Sequence, residues 1–222
     1  MDKIFTKNIE HESAAKHVTG KAIYTDDISE PKNLLHAVIG YSNCSKGVIK
    51  KIDYKDVLSS EGVVDIITEK DIEGINDVGP IFKGDKIFTS KNIEYYGQPI
   101  FAVIAKTNNL AKKAALKVKI DLKISKPIVS IEEALKKKSF VLKPKHLTRG
   151  NIKDGFKKSD NILKGKLYSG GQDHFYLEGQ IAMTIPQEDN NFLVYSSTQH
   201  PSETQQIIGK VLKQNYNSIH VI

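Results

Sequence analysis

Two clusters of polar side chains are the part of this chain that could do chemistry. The first is Gly-Gly-Gln-Asp-His-Phe-Tyr-Leu-Glu at residues 170–178, which mixes amide, carboxylate and imidazole groups with aromatic rings. The second is Tyr-Ser-Ser-Thr-Gln-His at residues 195–200, which ends a short apolar run. Polar groups between a buried strand and a helix commonly face a pocket. The pattern alone is equally compatible with two polar strand ends in an ordinary domain.

The side chains of these clusters favour binding over metal ligation. A glutamine such as Gln199 offers a neutral NH2 donor, although a hydrogen bond to the local backbone at a helix start is the more common role for such a residue. His174 is predicted to be structural, since no two histidines have the His-Glu-x-x-His spacing of a helical zinc site. Cys44 is the only cysteine. The chain therefore cannot form a disulfide or hold an iron–sulfur cluster by itself, and no metal ligands are predicted.

Charge and hydropathy exclude other classes of protein. The net charge is +7, but Arg149 is the only arginine, and the lysines are spread along the chain. Arginine is the usual reader of guanine edges, so we predict no nucleic-acid partner. No apolar run approaches the ~20 residues of a membrane span. The first ten residues lack the apolar core of a signal peptide, and a cytoplasmic protein is expected.

The predicted strands and helices that position the two polar clusters indicate an α/β (α+β) fold. In the first part of the chain, hydrophobic periodicity predicts a compact α/β domain packed on one sheet. Its predicted strands lie at 34–41, 47–52, 63–68, 99–105 and 118–122, and its helices at 54–60 and 108–117. The strand at 63–68 is rich in β-branched residues and is predicted to be buried.

A connector and a second lobe are predicted to follow. The connector contains one helix at 131–138 and is interrupted by prolines and glycines. In the second lobe, strands are predicted at 162–168, 181–185, 192–195 and 218–222. Pro201 suits the first position of a helix whose predicted buried face consists of Ile207, Ile208, Val211 and Leu212.

These motifs resemble those of a known enzyme family. Gly-Gln-Asp-His-Phe-Tyr-Leu-Glu at 171–178 is followed about twenty residues later by Ser-Thr-Gln-His-Pro at 197–201. Upstream there are further matches at 17–27, at 96–105 and in a linker pattern containing Gly150, Gly155, Phe156, Ser159 and Asp160. The chain resembles, from about residue 15 onward, the molybdenum-binding subunit of the xanthine oxidase and aldehyde oxidase family.

The resemblance implies a division into four parts. An N-terminal arm at 1–16 precedes an a/b hammerhead domain at 17–125, a connector at 126–160 and the start of a molybdopterin-binding domain at 161–222. The last part is expected to be truncated, because the family continues directly into a glycine-rich segment that approaches the cofactor.

The resemblance also implies a chemistry and a set of site residues. Such enzymes hydroxylate a purine carbon or an aldehyde carbon with oxygen from water, using molybdenum held by a pterin. Gln199 is implied to donate a hydrogen bond to the molybdenum oxo ligand, and further candidates are Ser197, His200 and Gln172. A structural role is expected for Asp173, His174 and Glu178. For Gln172, a structural role is the alternative to a role in the site.

The departures from the family limit what this chain can do alone. The family's general-base glutamate, its substrate-orienting glutamate and arginine, and its main pterin contacts lie beyond residue 222. No complete catalytic set is therefore expected here. The expected partners are the rest of the molybdenum subunit and 2Fe–2S and FAD domains or chains, in an oligomeric complex. The leading hypothesis is a purine-hydroxylating enzyme part, and the alternatives are a non-catalytic scaffold and an aldehyde-oxidising relative.

Overall fold

The computed structural model describes residues 10–222 of the chain. These residues form two compact units. One unit combines residues 10–126, here called the N-terminal lobe, with Glu178–Ile222, the C-terminal lobe. The other unit is Pro127–Leu177, here called the intervening unit. No helix within the described residues is long and apolar enough to cross a bilayer.

The arm predicted at 1–16 lies mostly outside the described residues. Its described end contains the beginning of a short helix, α1 (Ala14–Val18), none of whose residues is buried. A single 3-10 turn follows at Thr25–Asp27. The carboxylate of Asp27 accepts the Tyr24 N–H at 3.0 Å and so closes this turn.

The N-terminal lobe contains two sheets, so the prediction of one sheet is wrong. Its elements are β1 (His36–Tyr41), β2 (Gly47–Asp53), α2 (Lys55–Leu58), β3 (Val63–Ile67), β4 (Asn92–Ile93), β5 (Pro99–Ala105), α3 (Asn108–Ala115) and β6 (Lys119–Ile124). The antiparallel sheets have the orders β1-β5-β3 and β4-β2-β6. Alternation along a strand shows which face is buried but not which strand it pairs with, and β2 pairs with the distant β6.

One hydrophobic core joins both sheets with the helices α2 and α3 of this lobe. Phe101, Val103 and Ala105 of β5 are fully buried, and Ala111 and Ala114 of α3 pack in the same cluster. The predicted limits of β5 are confirmed at both ends. β3 was predicted to be buried, but it is an edge strand with exposed positions, because its outer side has no neighbour among the described residues.

The C-terminal lobe is a three-stranded sheet with one long helix. Its elements are β7 (Ala182–Pro186), β8 (Phe192–Ser196), α6 (Pro201–Leu212) and β9 (Ile219–Val221), and the predicted elements agree within a few residues. β8 is central, antiparallel to β7 and parallel to β9. The helix α6 is the crossover that joins the parallel pair β8 and β9.

The predicted buried face of α6 is only half-buried. Ile207, Ile208 and Val211 are intermediate in exposure and Leu212 is exposed, whereas Gly209 is the only buried residue of the helix. Gly209 lies so close to the Tyr216 ring that an added Cβ would be 2.6 Å from it. The closest packing of the helix is therefore at Gly209 and does not involve a continuous apolar face.

The intervening unit differs most from its prediction. It contains two helices, α4 (Ile131–Lys136) and α5 (Ile152–Lys158), each begun by a side-chain cap from Ser130 or Asn151. The helix α4 was predicted, but α5 was not, because Gly155 within it was interpreted as a break. The strand predicted at 162–168 is wrong: these residues form no regular structure. Their apolar residues form two adjacent pairs, at 162–163 and 167–168, and all four are exposed, so there is no buried face to stabilise a strand.

Candidate functional site

The loop between β8 and α6 is the best candidate for a site. It occupies residues 197–200, directly after the carboxyl end of β8 and before the first turn of α6. Because β8 and β9 are parallel, their carboxyl ends lie at the same edge of the sheet. This edge, next to a helix N-terminus, is where α/β units usually bind ligands.

Ser197 anchors this loop to the strand beside it. The Ser197 hydroxyl accepts the Ile181 N–H at 3.1 Å and lies 3.3 Å from the Ile181 carbonyl. The backbone N–H of Ser197 also donates to the Ile181 carbonyl, at 3.1 Å. The hydroxyl predicted to contribute to the pocket is thus engaged by the backbone next to β7.

Thr198 organises the turn into the helix, a role that sequence reasoning did not assign to it. Its hydroxyl oxygen accepts the His200 backbone N–H at 3.1 Å and forms a hydrogen bond with the Thr204 hydroxyl at 3.2 Å. One side chain therefore connects the residue before α6 to the first turn of that helix. The signal in the sequence was a threonine three positions before a proline at the start of a helix.

Gln199 and His200 are the exposed members of the loop. Among the described residues, no group forms a hydrogen bond with the Gln199 carboxamide. His200 holds the N-cap position, but its side chain does not cap the helix. The loop thus presents a neutral donor and acceptor to solvent on a backbone fixed by its two neighbours.

A second amide, which sequence reasoning missed, fixes the helix over the sheet. The Gln205 Nε2 donates to the Ile219 carbonyl of β9 at 2.6 Å, and Gln205 is partly buried. A polar residue on a helix gives no sequence signal for such a contact, because its acceptor is a backbone atom of a later strand.

The cluster at 170–178 forms no helix or strand and is mostly exposed. Gln172 and His174 are exposed, and the Asp173 carboxylate accepts the Phe175 N–H at 3.4 Å. Glu178, the first residue of the C-terminal lobe, accepts the Thr25 N–H at 3.0 Å through Oε1. That contact agrees with the structural role expected for Glu178.

Perturbed titrations occur in the N-terminal lobe. Burial, together with the charge of Asp71, raises the pKa of Tyr54 to about 12. Hydrogen bonds from Ser90 and Asn76 lower the pKa of the Glu69 carboxyl. Tyr54, Glu69 and Asp71 line a cleft of about 480 Å³ beside β2 and β3.

A second cleft, of about 920 Å³, is also separate from the candidate loop. It is mainly apolar and lies along β1 and the end of α3, with Tyr41, Tyr96 and Leu116 on its walls. None of the predicted site residues lines either cleft. Within residues 10–222, moreover, no three His, Cys, Asp or Glu side chains are grouped so as to hold a metal ion.

Comparison with protein families decides what kind of chain this is. Residues 19–126 match the model of the aldehyde oxidase and xanthine dehydrogenase a/b hammerhead domain. Residues 133–222 match the model of the molybdopterin cofactor-binding domain. The chain belongs to the aldehyde oxidase and xanthine dehydrogenase family. The resemblance inferred from the motifs is confirmed, and so is the predicted fold class.

Individual relatives support both branches of this family. A xanthine dehydrogenase of Dictyostelium discoideum is 37% identical over 214 residues, which are 96% of this chain and 16% of that protein. Aldehyde oxidase 1 of Bos taurus is 38% identical over 214 residues, 95% of this chain and 16% of that protein. The chain therefore spans about a sixth of the length of these relatives.

Solved structures agree on the fold. The aldehyde oxidoreductase of Desulfovibrio gigas matches with a TM-score of 0.81 and 24% identity, over 95% of this chain and 26% of that one. The quinoline 2-oxidoreductase of Pseudomonas putida 86 matches with a TM-score of 0.80 and 18% identity, over 96% of this chain and 29% of that one. At these identities the likeness shows a shared fold.

Proposed function

We propose that this chain forms part of a molybdenum hydroxylase that oxidatively hydroxylates purines with oxygen from water. The observation that carries the proposal is the Gln199 carboxamide, which is exposed and has no hydrogen-bond partner among the described residues. It lies at the carboxyl end of β8, inside the segment that matches the molybdopterin cofactor-binding model. The backbone of the loop is fixed, and its carboxamide has no hydrogen bond within the described residues, so it is suited to hydrogen bonding with a bound group.

The residues present fit the outer part of a molybdenum–pterin site. When bound, this cofactor supplies the metal centre that accepts two electrons and delivers the oxygen. Gln199 would donate a hydrogen bond toward it without bringing a charge. His200, exposed at the start of α6, and the positive end of the helix would favour an anionic group. Ser197 would act by holding the loop, and Gln172 remains a candidate without a contact that supports it.

The chain is proposed to need the rest of the molybdenum subunit for activity. It covers 26% of the solved aldehyde oxidoreductase chain, and its loop at 197–200 contains no carboxylate. A general base and the substrate-binding residues would come from the remaining part. We further propose that 2Fe–2S and FAD groups reside on other domains or chains of a cytoplasmic, oligomeric complex.

Aldehyde oxidation is the second candidate, and a specific observation favours it. The bovine aldehyde oxidase is as similar to this chain as the Dictyostelium xanthine dehydrogenase, at 38% and 37% identity. A purine and an aldehyde should therefore be assayed side by side with the reconstituted enzyme. A third candidate, a non-catalytic scaffold, predicts that the chain purified from its native cells carries no molybdenum in any complex.

The experiment that tests the proposal is the substitution Gln199→Ala in the complete, cofactor-loaded enzyme. Loss of one preorganised donor near the reacting centre is expected to lower turnover about 100-fold. The free energy of unfolding should change by less than about 0.5 kcal/mol, because the carboxamide is exposed and has no partner in the described chain.

The matched control is Gln206→Ala, which removes the same exposed amide from the solvent side of α6. Turnover should not change in that variant. Equal turnover in the wild type and in Gln199→Ala would refute the proposed role. Molybdenum content, measured in parallel, separates a loss of cofactor from a slower reaction.

A further inference from the structure

The last turn of α6 has carbonyl groups that the helix itself cannot satisfy. Helices end with carbonyl oxygens that lack an intrahelical N–H partner. In α6, the Gly209 carbonyl accepts the N–H groups of Lys213 and Gln214, at the left-handed turn that ends the helix. The next two carbonyls, of Lys210 and Val211, receive hydrogen bonds from elsewhere in the chain.

Their donors are two consecutive residues of the N-terminal lobe. The Gly74 N–H donates to the Val211 carbonyl at 2.8 Å, and the Ile75 N–H donates to the Lys210 carbonyl at 3.1 Å. This pair of hydrogen bonds, here called the Gly74 clasp, joins residues more than 130 positions apart. It connects the segment matched by the hammerhead model to the segment matched by the molybdopterin model.

The clasp requires a glycine at position 74 for reasons of space. An added Cβ would lie 1.9 Å from the Lys210 carbonyl oxygen and 2.5 Å from that of Val211. Both are backbone atoms of a helix and cannot swing aside as a flexible side chain can. The φ angle of Gly74 is outside the left-handed region, so any larger residue is excluded by the contact itself.

Through the clasp, the N-terminal lobe fixes one end of the helix whose other end carries the candidate site. A helix of 12 residues is about 18 Å long and moves as a nearly rigid rod. Thr198 fastens its first turn to the loop, and Gln205 fastens its middle to β9. A displacement at the Val211 end would therefore shift the loop that presents Gln199.

We propose that Gly74 is a positioning residue for the Gln199 loop, acting through α6. This inference rests on the proposed function for its catalytic meaning, but its structural content can be tested separately. Gly74 contacts the end of α6 opposite to the end that follows the loop. Its role is to set the place of the helix by satisfying two carbonyls at close range.

The first test is amide hydrogen exchange in the wild-type chain, followed by NMR. If the clasp holds, the Gly74 and Ile75 amides exchange with the same protection as the Val211 amide, because they open together with the helix end. If both exchange as quickly as the amides at 162–168, which have no regular structure, the clasp does not form and the proposal is overturned. This measurement needs no variant and so does not depend on one that folds.

The second test compares Gly74→Ala with Ile75→Ala. The alanine at 74 should shift the amide signals of residues 198–204 and remove the protection of residue 75, while the β7 and β8 signals stay in place. Ile75→Ala keeps the N–H donor and truncates a side chain that is 45% exposed, so it should leave those signals unchanged. Unchanged 198–204 signals in a folded Gly74→Ala chain would overturn the proposal.

In the loaded enzyme, Gly74→Ala is expected to lower kcat by up to about 100-fold, the cost of misplacing a catalytic group by about 1 Å. Binding of substrate should be retained, so KM should change little. If Gln199→Ala leaves turnover unchanged while the amide shifts appear as described, the proposed function fails and the clasp stands. If the shifts are absent, the clasp fails whatever Gln199 does.

Discussion

The strand β5 and the segment 162–168 both contain apolar residues that predict a strand, but only β5 forms one. In β5, Phe101, Val103 and Ala105 are fully buried between two neighbouring strands and a helix. In the other segment, Leu163 is fully exposed, Leu167 is nearly so, and no strand forms. The difference shows that apolar residues specify a strand only where a partner strand and a buried face are both available.

The largest difference in stability is expected between two aromatic substitutions, one in β5 and one in the intervening unit. Phe101→Ala is expected to lower the free energy of unfolding by about 3–5 kcal/mol, because it opens a cavity in a fully packed core. The Phe101 ring fills the space beside Gly40, where a Cβ added to the glycine would be 2.2 Å from the ring. The Phe101 ring also packs edge-on against the Tyr54 ring, with 5.2 Å between the two ring centroids. Urea denaturation followed by circular dichroism measures the loss.

The control for this prediction is Phe175→Ala in the intervening unit. The Phe175 side chain is 91% exposed, so its removal should change the free energy of unfolding by less than about 0.5 kcal/mol. A loss of similar size in both variants would mean that the exposed region is covered in solution, and the contrast between the two regions would disappear.

A smaller effect is expected where burial is partial. Ile208→Ala on α6 should cost about 1–2 kcal/mol, less than the full burial of its predicted apolar face would imply, because the side chain is only half-buried. Leu163→Ala is the matched control at a fully exposed aliphatic position and should be neutral. A loss above about 3 kcal/mol at Ile208 would show that the helix is more deeply packed than its contacts indicate.

Most of the fold could be predicted, because its strands and helices have strong local signals. The limits of β5 and the start of α6 at Pro201 follow from apolar runs, turn residues and a proline at the first helical position. Pairing between distant strands has no local signal, which is why two sheets were expected as one. The helix α5 was missed because a glycine in an exposed helix costs only about 1 kcal/mol, less than the break that was inferred.

The position of the candidate loop could be predicted, but its internal contacts could not. A polar run between an apolar strand and a proline-led helix was enough to locate Gln199. The hydrogen bonds of Ser197 to Ile181, of Gln205 to Ile219 and of Gly74 to Val211 all join residues far apart in sequence. Such contacts depend on the final packing, and most of their partners are backbone atoms that carry no residue-type signal.

The finest contrast between the two regions is between two aspartates that accept backbone N–H groups. Asp77 accepts the Gly79 and Gly84 N–H groups at 2.8 and 2.7 Å, and these bonds hold the pKa of its carboxyl below the usual range. A lowered pKa means that the stabilisation is complete above the unfolded value of about 3.9 and is lost as the pH falls through the lower folded value. NMR titration should therefore show the Gly79 and Gly84 amide signals unchanged from pH 8 to about pH 4, and the midpoint of their change should lie below that pH.

The Asp77→Asn variant should abolish this transition. The Asp173→Asn variant, which removes a carboxylate that accepts one N–H at 3.4 Å, should leave it intact. A midpoint at or above the usual pKa range of an aspartate would contradict the two hydrogen bonds assigned to the Asp77 carboxylate.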